Sequence, residues 1–197
     1  MLAKIIVVCV VALAAFAQIP PLDDCANVMS SVCQNFSEAK QNAINNQITL
    51  ELEASYVYMA MGAYFSRDDP NLMGFSKFFY EASGEEREHA LKLIEYQNMR
   101  GGKVHLSTVP APNTQEWDNG RAAMVEALAL EKKVNAALLR LHKAAEDDPQ
   151  MQDFLEANYL DEQVKSIRQL GGFVNQLTKV RETNPGLGEH IYDKELQ

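Results

Sequence analysis

Residues 75–96 read FSKFFYEASGEEREHALKLIEY. Within this stretch Phe75, Phe79, Ala82, Glu86, His89, Leu93 and Tyr96 recur at steps of four and three. That spacing lays them along one face of an α-helix, as a stripe packed against neighbouring helices. Glu86 and His89 stand in the middle of the stripe, where an ordinary core would be apolar.

The same pattern extends outward on both sides. A first helix is expected from about Glu38 to Ser66, ending at Arg67-Asp68-Asp69-Pro70, where the proline disfavours helix at the residue before it. The second runs from about Leu72 to Arg100 and stops at Gly101-Gly102. A long connection follows, with Pro110 and Pro112 and no periodicity. A third helix covers about Asn119 to Ala145 and a fourth about Gln150 to Arg181. Asn184-Pro185-Gly186 breaks the chain before a short last helix near Leu187 to Glu195. Two short turns and one long link predict two antiparallel hairpins joined by a crossover along the bundle.

The other seams are interrupted in the same way. The first helix carries Ile44, Ile48, Glu51, Ser55 and Tyr58 at core spacing. The third carries Met124, Leu128, Glu131, Asn135, Leu138 and His142, and the fourth Tyr159, Gln163, Ile167, Leu170, Val174 and Leu177. Burying carboxylates is costly unless they are paired, protonated or bound to a metal. No lysine or arginine lies on these stripes to neutralise Glu51, Glu86 and Glu131, so a cation is the simplest remedy. Carboxylate oxygens with one imidazole suit iron or another first-row metal. The spacing of Glu86 and His89 puts both side chains on one helical face. In di-iron bundles a Glu-x-x-His pair of this kind supplies metal ligands. Tyr58 lies one heptad after Glu51, placing its hydroxyl within reach of the ligands.

Composition narrows the function classes. The 197 residues are 47% hydrophobic and 23% charged, the balance of a globular domain. A net charge of -9 without a basic run argues against nucleic acid or an anionic membrane as partner, and suits cations. Residues 1–17 read as a secretory leader: Lys4, an uncharged apolar run from Ile5 to Phe16, and the small-x-small triplet Ala15-Phe16-Ala17. The run is short for a bilayer span, and no later stretch is long enough, so no membrane span is expected once the leader is removed. Cys9 departs with the leader. In an oxidising compartment Cys25 and Cys33 would form disulfides, with each other or with another subunit. Asn35-Phe36-Ser37 is an N-glycosylation acceptor. The expected organisation is a leader (1–17), an extension bearing Cys25 and Cys33 (18–37) and an all-α domain (38–197).

QITLELEASYVY (47–58), EEREHA (85–90), Arg100-Gly101-Gly102, LEK (130–132) and YLDEQVK (159–165) together give a specific resemblance. Over residues 38–197 the chain resembles animal ferritins of the heavy, ferroxidase-bearing type, and its leader and cysteines resemble the secreted ferritins of invertebrates. The resemblance implies an all-α, ferritin-like four-helix bundle with one long crossover and a short fifth C-terminal helix. It implies iron storage and detoxification, with Fe(II) oxidised by dioxygen at a dinuclear site and deposited as ferric mineral in a shell of 24 subunits. A light-type chain is a possible partner in such a shell.

Carried over residue by residue, Glu51, Glu86 and His89 hold the first iron, with Glu86 bridging. Glu131 holds the second, Gln163 lies close and Tyr58 assists. Glu81, Glu85 and Glu88 match a cavity-facing stripe that starts the mineral, although Leu91 stands where the family carries a further carboxylate. Asp153 and Glu156, with His142 near the entry, match the iron-entry channel at the three-fold axes. The last helix matches the one at the four-fold axis, with Ile191 at an apolar lining position and Glu195 in place of a common histidine. The alternative reading is a non-catalytic subunit of a secreted mixed-chain ferritin, used for storage or transport. The filled ligand set argues against it.

Overall fold

The computed structural model describes Cys25 and residues 30–197. The expected leader and its cleavage point lie outside the described residues. Among the described residues the fold is entirely helical. It comprises α1 (Glu38–Phe65), α2 (Met73–Met99), α3 (Gly120–Ala144), α4 (Pro149–Leu155), a π-helical turn (Glu156–Leu160), α5 (Asp161–Thr183) and α6 (Pro185–Glu195). The segment from α4 through α5 is one rod, so four rods form the bundle and α6 closes one end.

The expected topology holds, and the link explains why. Its start is bound beside the beginning of α1: Asn45 Nδ2 donates to Lys103 O at 3.0 Å, and His105 N donates to Asn45 Oδ1 at 3.0 Å. Its end lies at the far end of α1, where Trp117 packs on Phe65 and Tyr64 at ring separations of 6.4 and 5.5 Å. The link therefore travels the length of α1, and α3 runs parallel to α2 and antiparallel to α1.

Local chemistry sets the helix starts. Ser37 Oγ accepts from Lys40 N, Asn119 Oδ1 from Ala122 N, and Asp148 Oδ1 from Met151 N. Each is an N-cap that satisfies an orphan backbone donor. Asn184 does the same for Leu187 N. The triplet read as a chain break is thus a helix start, with Pro185 in the first turn, where its missing N–H costs nothing. At the other end of α2, Gly101 takes φ +77°, a left-handed conformation suited to glycine.

Two apolar clusters fill the bundle. One gathers Ile44, Ile48, Leu93, Tyr96, Val134, Leu138, Met151, Leu155 and Tyr159. The other gathers Tyr58, Met61, Phe65, Phe75, Phe79, Met124, Leu170 and Tyr192. Burying one such side chain contributes about 1.5–3 kcal/mol. On every rod a buried polar residue stands between members of the two clusters: Glu51, Glu86 with His89, Glu131 and Gln163. The seam of α3 keeps Met124, Glu131 and Leu138 as expected but differs at the positions between them. Ala127, Glu131, Val134, Leu138 and Leu141 are its buried face, leaving Leu128, Asn135 and His142 half-buried.

Cys25 and Cys33 are bonded to each other, which resolves the open pairing in favour of an intrachain bridge. The segment after Cys33 docks on charged residues at the end of the bundle. Lys40, only 4% exposed, donates to Asn35 O at 3.2 Å and to Asp147 Oδ2 at 3.0 Å. Arg100 Nη2 reaches Asp148 Oδ2 at 2.7 Å and Gln34 O at 3.3 Å. The guanidinium also lies over the Phe36 ring, 4.7 Å from its centre.

Candidate metal centre

The polar layer begins with close helix approach. Ser55 Oγ donates to Ser83 O at 2.7 Å and Ser83 Oγ to Ser55 O at 2.8 Å. Two small side chains with reciprocal bonds let α1 and α2 come together one turn from Glu51 and Glu86. Glu51, Glu86 and His89 are 0%, 4% and 6% exposed, and each brings one ligand atom within 4.8 Å of the others.

Across the bundle, Glu131 faces this trio from α3. Its Oε1 accepts from the Tyr58 hydroxyl at 2.5 Å and its Oε2 from Gln163 Nε2 at 2.8 Å. All six residues picked out on the seams, Glu51, Tyr58, Glu86, His89, Glu131 and Gln163, therefore meet in one layer. Three of their buried atoms have no hydrogen-bond partner: Glu51 Oε2, Glu86 Oε2 and Gln163 Oε1. Buried acceptors are nearly always satisfied, and an absent ion is one of the few explanations for a cluster of orphans. The donor set, three carboxylates with an imidazole and an amide oxygen, fits a hard or borderline cation.

Electrostatics point the same way. Burial, reinforced by the charge of Glu86, holds the Glu51 carboxyl well above the usual range. Burial and then Glu131 do the same to Glu86. Burial and Glu131 also push the Tyr58 phenol up. A raised carboxyl pKa favours the protonated form, and binding a metal must expel any proton that these groups hold.

A cavity of about 210 Å³ adjoins the layer, lined by Tyr58, Glu86, His89, Glu131 and Gln163. Glu51 lies outside its lining. Glu81 and Glu85 also border it, and burial together with Glu162 raises the Glu85 carboxyl. Glu88, expected on the same stripe, is exposed and does not border it.

Glu162 is the residue that the seam pattern missed. Its Oε2 lies 3.3 Å from His89 Nε2, while His89 Nδ1 is 3.6 Å from Glu86 Oε2. Glu162, Ser166 and Gln169 line the cavity at steps of four and three, a second stripe beside the Gln163 seam. The π-helical turn lies just before them; such turns recur at functional sites. Tyr159, within that turn, donates its hydroxyl to His89 O at 2.9 Å and packs edge-on against the imidazole at 5.5 Å.

With this geometry in view, comparison with known proteins is decisive. A family model described as a Ferritin-like domain matches residues 41–180. The chain belongs to the ferritin family. It is 51% identical over 169 residues to Soma ferritin of Lymnaea stagnalis, covering 85% of this chain and 95% of that one. Ferritins store iron, and the family builds multi-subunit shells around it. This ferritin carries a carboxylate–histidine cluster able to hold a metal ion in its bundle core. No helix among the described residues is long and apolar enough to cross a membrane.

The remaining expected residues sit elsewhere. His142 Nε2 and Glu156 Oε1 are 2.7 Å apart at the end of the bundle, joining α3 to the π turn, and Asp153 is exposed one turn earlier. Asn35, the glycan acceptor, is half-buried, and its amide nitrogen donates to Asp147 O at 3.0 Å.

Proposed function

We propose that this ferritin is a heavy-type ferroxidase subunit that oxidises Fe(II) with dioxygen and passes Fe(III) into a storage shell of 24 chains. The carrying observation is the cluster of orphaned acceptors on Glu51, Glu86 and Gln163, beside Glu131 and His89. Two Fe(II) ions are the substrate. Glu51 and His89 bind one, Glu131 binds the other, and Glu86 lies between them as the bridging carboxylate. Gln163 is neutral and adds no charge, so the second ion is held loosely enough to leave after oxidation.

Any proton on Glu51 or Glu86 must depart as the ions enter, and the negative carboxylates then offset the rising charge as iron loses electrons. Two electrons pass from two Fe(II) to one dioxygen, which takes up two protons. Tyr58 fixes the rotamer of Glu131 through its hydroxyl. Glu81 and Glu85 border the cavity and fit the first steps of mineral formation, with Glu88 further along the same helix. Asp153, Glu156 and His142 fit an acidic entry funnel that attracts Fe(II).

The Cys25–Cys33 bridge supports passage through an oxidising secretory compartment, in keeping with the leader read at residues 1–17. Mixed shells with a light-type chain, and a glycan on Asn35, fit the same route.

Iron oxidation in air by the purified, assembled chain tests the reading. A fast phase saturating near two irons per subunit is expected, and Glu86→Ala should abolish it while the shell still assembles. Undiminished fast oxidation in that variant would overturn the site.

A further inference from the structure

Glu51 is the most deeply buried of the site carboxylates, and only one of its oxygens lacks a partner. The other, Oε1, accepts a hydrogen bond from Gln47 Nε2 at 2.8 Å. Gln47 lies one turn earlier on α1 and is 3% exposed. Helical side chains lean toward the helix N-terminus, so Glu51 reaches back over the turn that carries Gln47. Gln47 does not line the cavity beside the polar layer. It borders a groove between α1 and α3 with Leu50, Lys133 and Leu141, on the far side of Glu51.

We propose that Gln47 is a positioning residue for the metal centre: its amide holds one oxygen of Glu51 so that the other is presented to the ion in a fixed orientation. This rests on the dinuclear reading above. Glu131 offers the internal comparison, because Tyr58 and Gln163 occupy its two oxygens and fix it in the same manner. A carboxylate free to change rotamer loses that freedom on binding metal, and a neutral donor behind it removes the loss beforehand. Gln47 touches no ion itself.

The test uses assembled shells and Co²⁺ as the probe, titrated by calorimetry and visible absorbance, with Glu51→Ala shells as the baseline for other binding sites. Gln47→Met keeps the side-chain length and apolar bulk in the groove but cannot donate. Co²⁺ affinity at the Glu51-dependent site should fall about 10-fold, the lower end of the range for outer-shell residues. In iron oxidation the KM for Fe(II) should rise by a similar factor while kcat changes less than twofold.

A purely structural role would lower the melting temperature and leave Co²⁺ affinity unchanged, and that result would overturn the assignment. Should Gln47→Met fail to assemble, Gln47→Asn keeps the amide but is too short to reach, and the same loss is expected. If the unaltered chain binds Co²⁺ in a Gln47-dependent way yet oxidises no iron, the ferroxidase reading fails and the assignment of Gln47 stands.

Discussion

Asp193 Oδ1 accepts hydrogen bonds from two backbone donors of α2, Gly74 N at 2.6 Å and Phe75 N at 3.1 Å. The start of α2 has no cap of its own, because its N-cap residue is Leu72. A residue 119 positions away in sequence therefore supplies it. The start of α3 receives a second carboxylate from the same helix, Glu189 Oε1 on Gly120 N at 2.5 Å. Both α2 and α3 start at this end of the bundle, and their positive dipole ends favour these acids. The last helix thus ties together the two rods that the long link joins.

Asp193 is 2% exposed, so replacing it by alanine strands two buried N–H groups. Asp193→Ala should cost about 2 kcal/mol, read as a lower unfolding midpoint in denaturant. Asp193→Asn keeps a neutral acceptor and should recover part of that loss.

Gly74 permits this contact by having no side chain. A Cβ there would meet Asp193 O at 1.8 Å, a backbone atom that cannot swing aside. Gly74→Ala should therefore displace the last helix, and limited proteolysis should cut the C-terminal segment faster than in the unaltered protein. Equal cutting rates would show that the helix end can shift without undocking.

Asp148 is 3% exposed and bonded to Arg100, with Lys40 3.9 Å away. Removing Arg100 leaves the buried Asp148 carboxylate to the more distant Lys40. Arg100→Ala should destabilise the fold by on the order of 3 kcal/mol and loosen the segment after Cys33. Denaturant unfolding measures the first effect, and hydrogen exchange at residues 34–37 the second.

The metal-free layer has a pH signature of definite sign. Burial comes first in raising both Glu51 and Glu86, followed by the charge of Glu86 on the former and of Glu131 on the latter. A raised native pKa means that the fold keeps protons the unfolded chain has released. Its contribution to stability is full below the ordinary carboxylate range and is lost as pH rises through the native value. The melting temperature of the metal-free protein should fall as pH rises above the ordinary carboxylate range, and fall less steeply in Glu51→Gln. Saturating Co²⁺ should flatten the slope, because bound metal replaces the protons.

Tyr58 offers a separate test of the proposed centre. Tyr58→Phe removes the hydroxyl that holds Glu131 Oε1 and leaves the ring stacked on Phe79 at 6.1 Å. The initial oxidation rate should drop about 10-fold with little change in melting temperature. A rate equal to that of the unaltered chain would mean that Gln163 alone suffices to orient Glu131.

By itself the sequence determined the helical class, the two hairpins with their crossover, and the ferritin-like seams. Periodicity reports which side chains share a face, and on α1 and α2 it named the buried glutamates and the histidine correctly. On α3 it placed Met124, Glu131 and Leu138 correctly and erred by one position at Leu128, Asn135 and His142, because these keep the same 3–4 spacing as Ala127, Val134 and Leu141 one residue earlier. The tertiary structure decided what no single helix encodes. Glu162 approaches His89 because two rods meet there, and the π turn before it alters the rotation of the fourth rod. Only the tertiary structure also determined that Cys25 joins Cys33 and that Asp193 caps α2. The Glu162 and Asp193 contacts depend on distances between segments remote in sequence, which packing sets and local pattern does not; Cys25 and Cys33 are close in sequence, but their pattern left a partner in another subunit open.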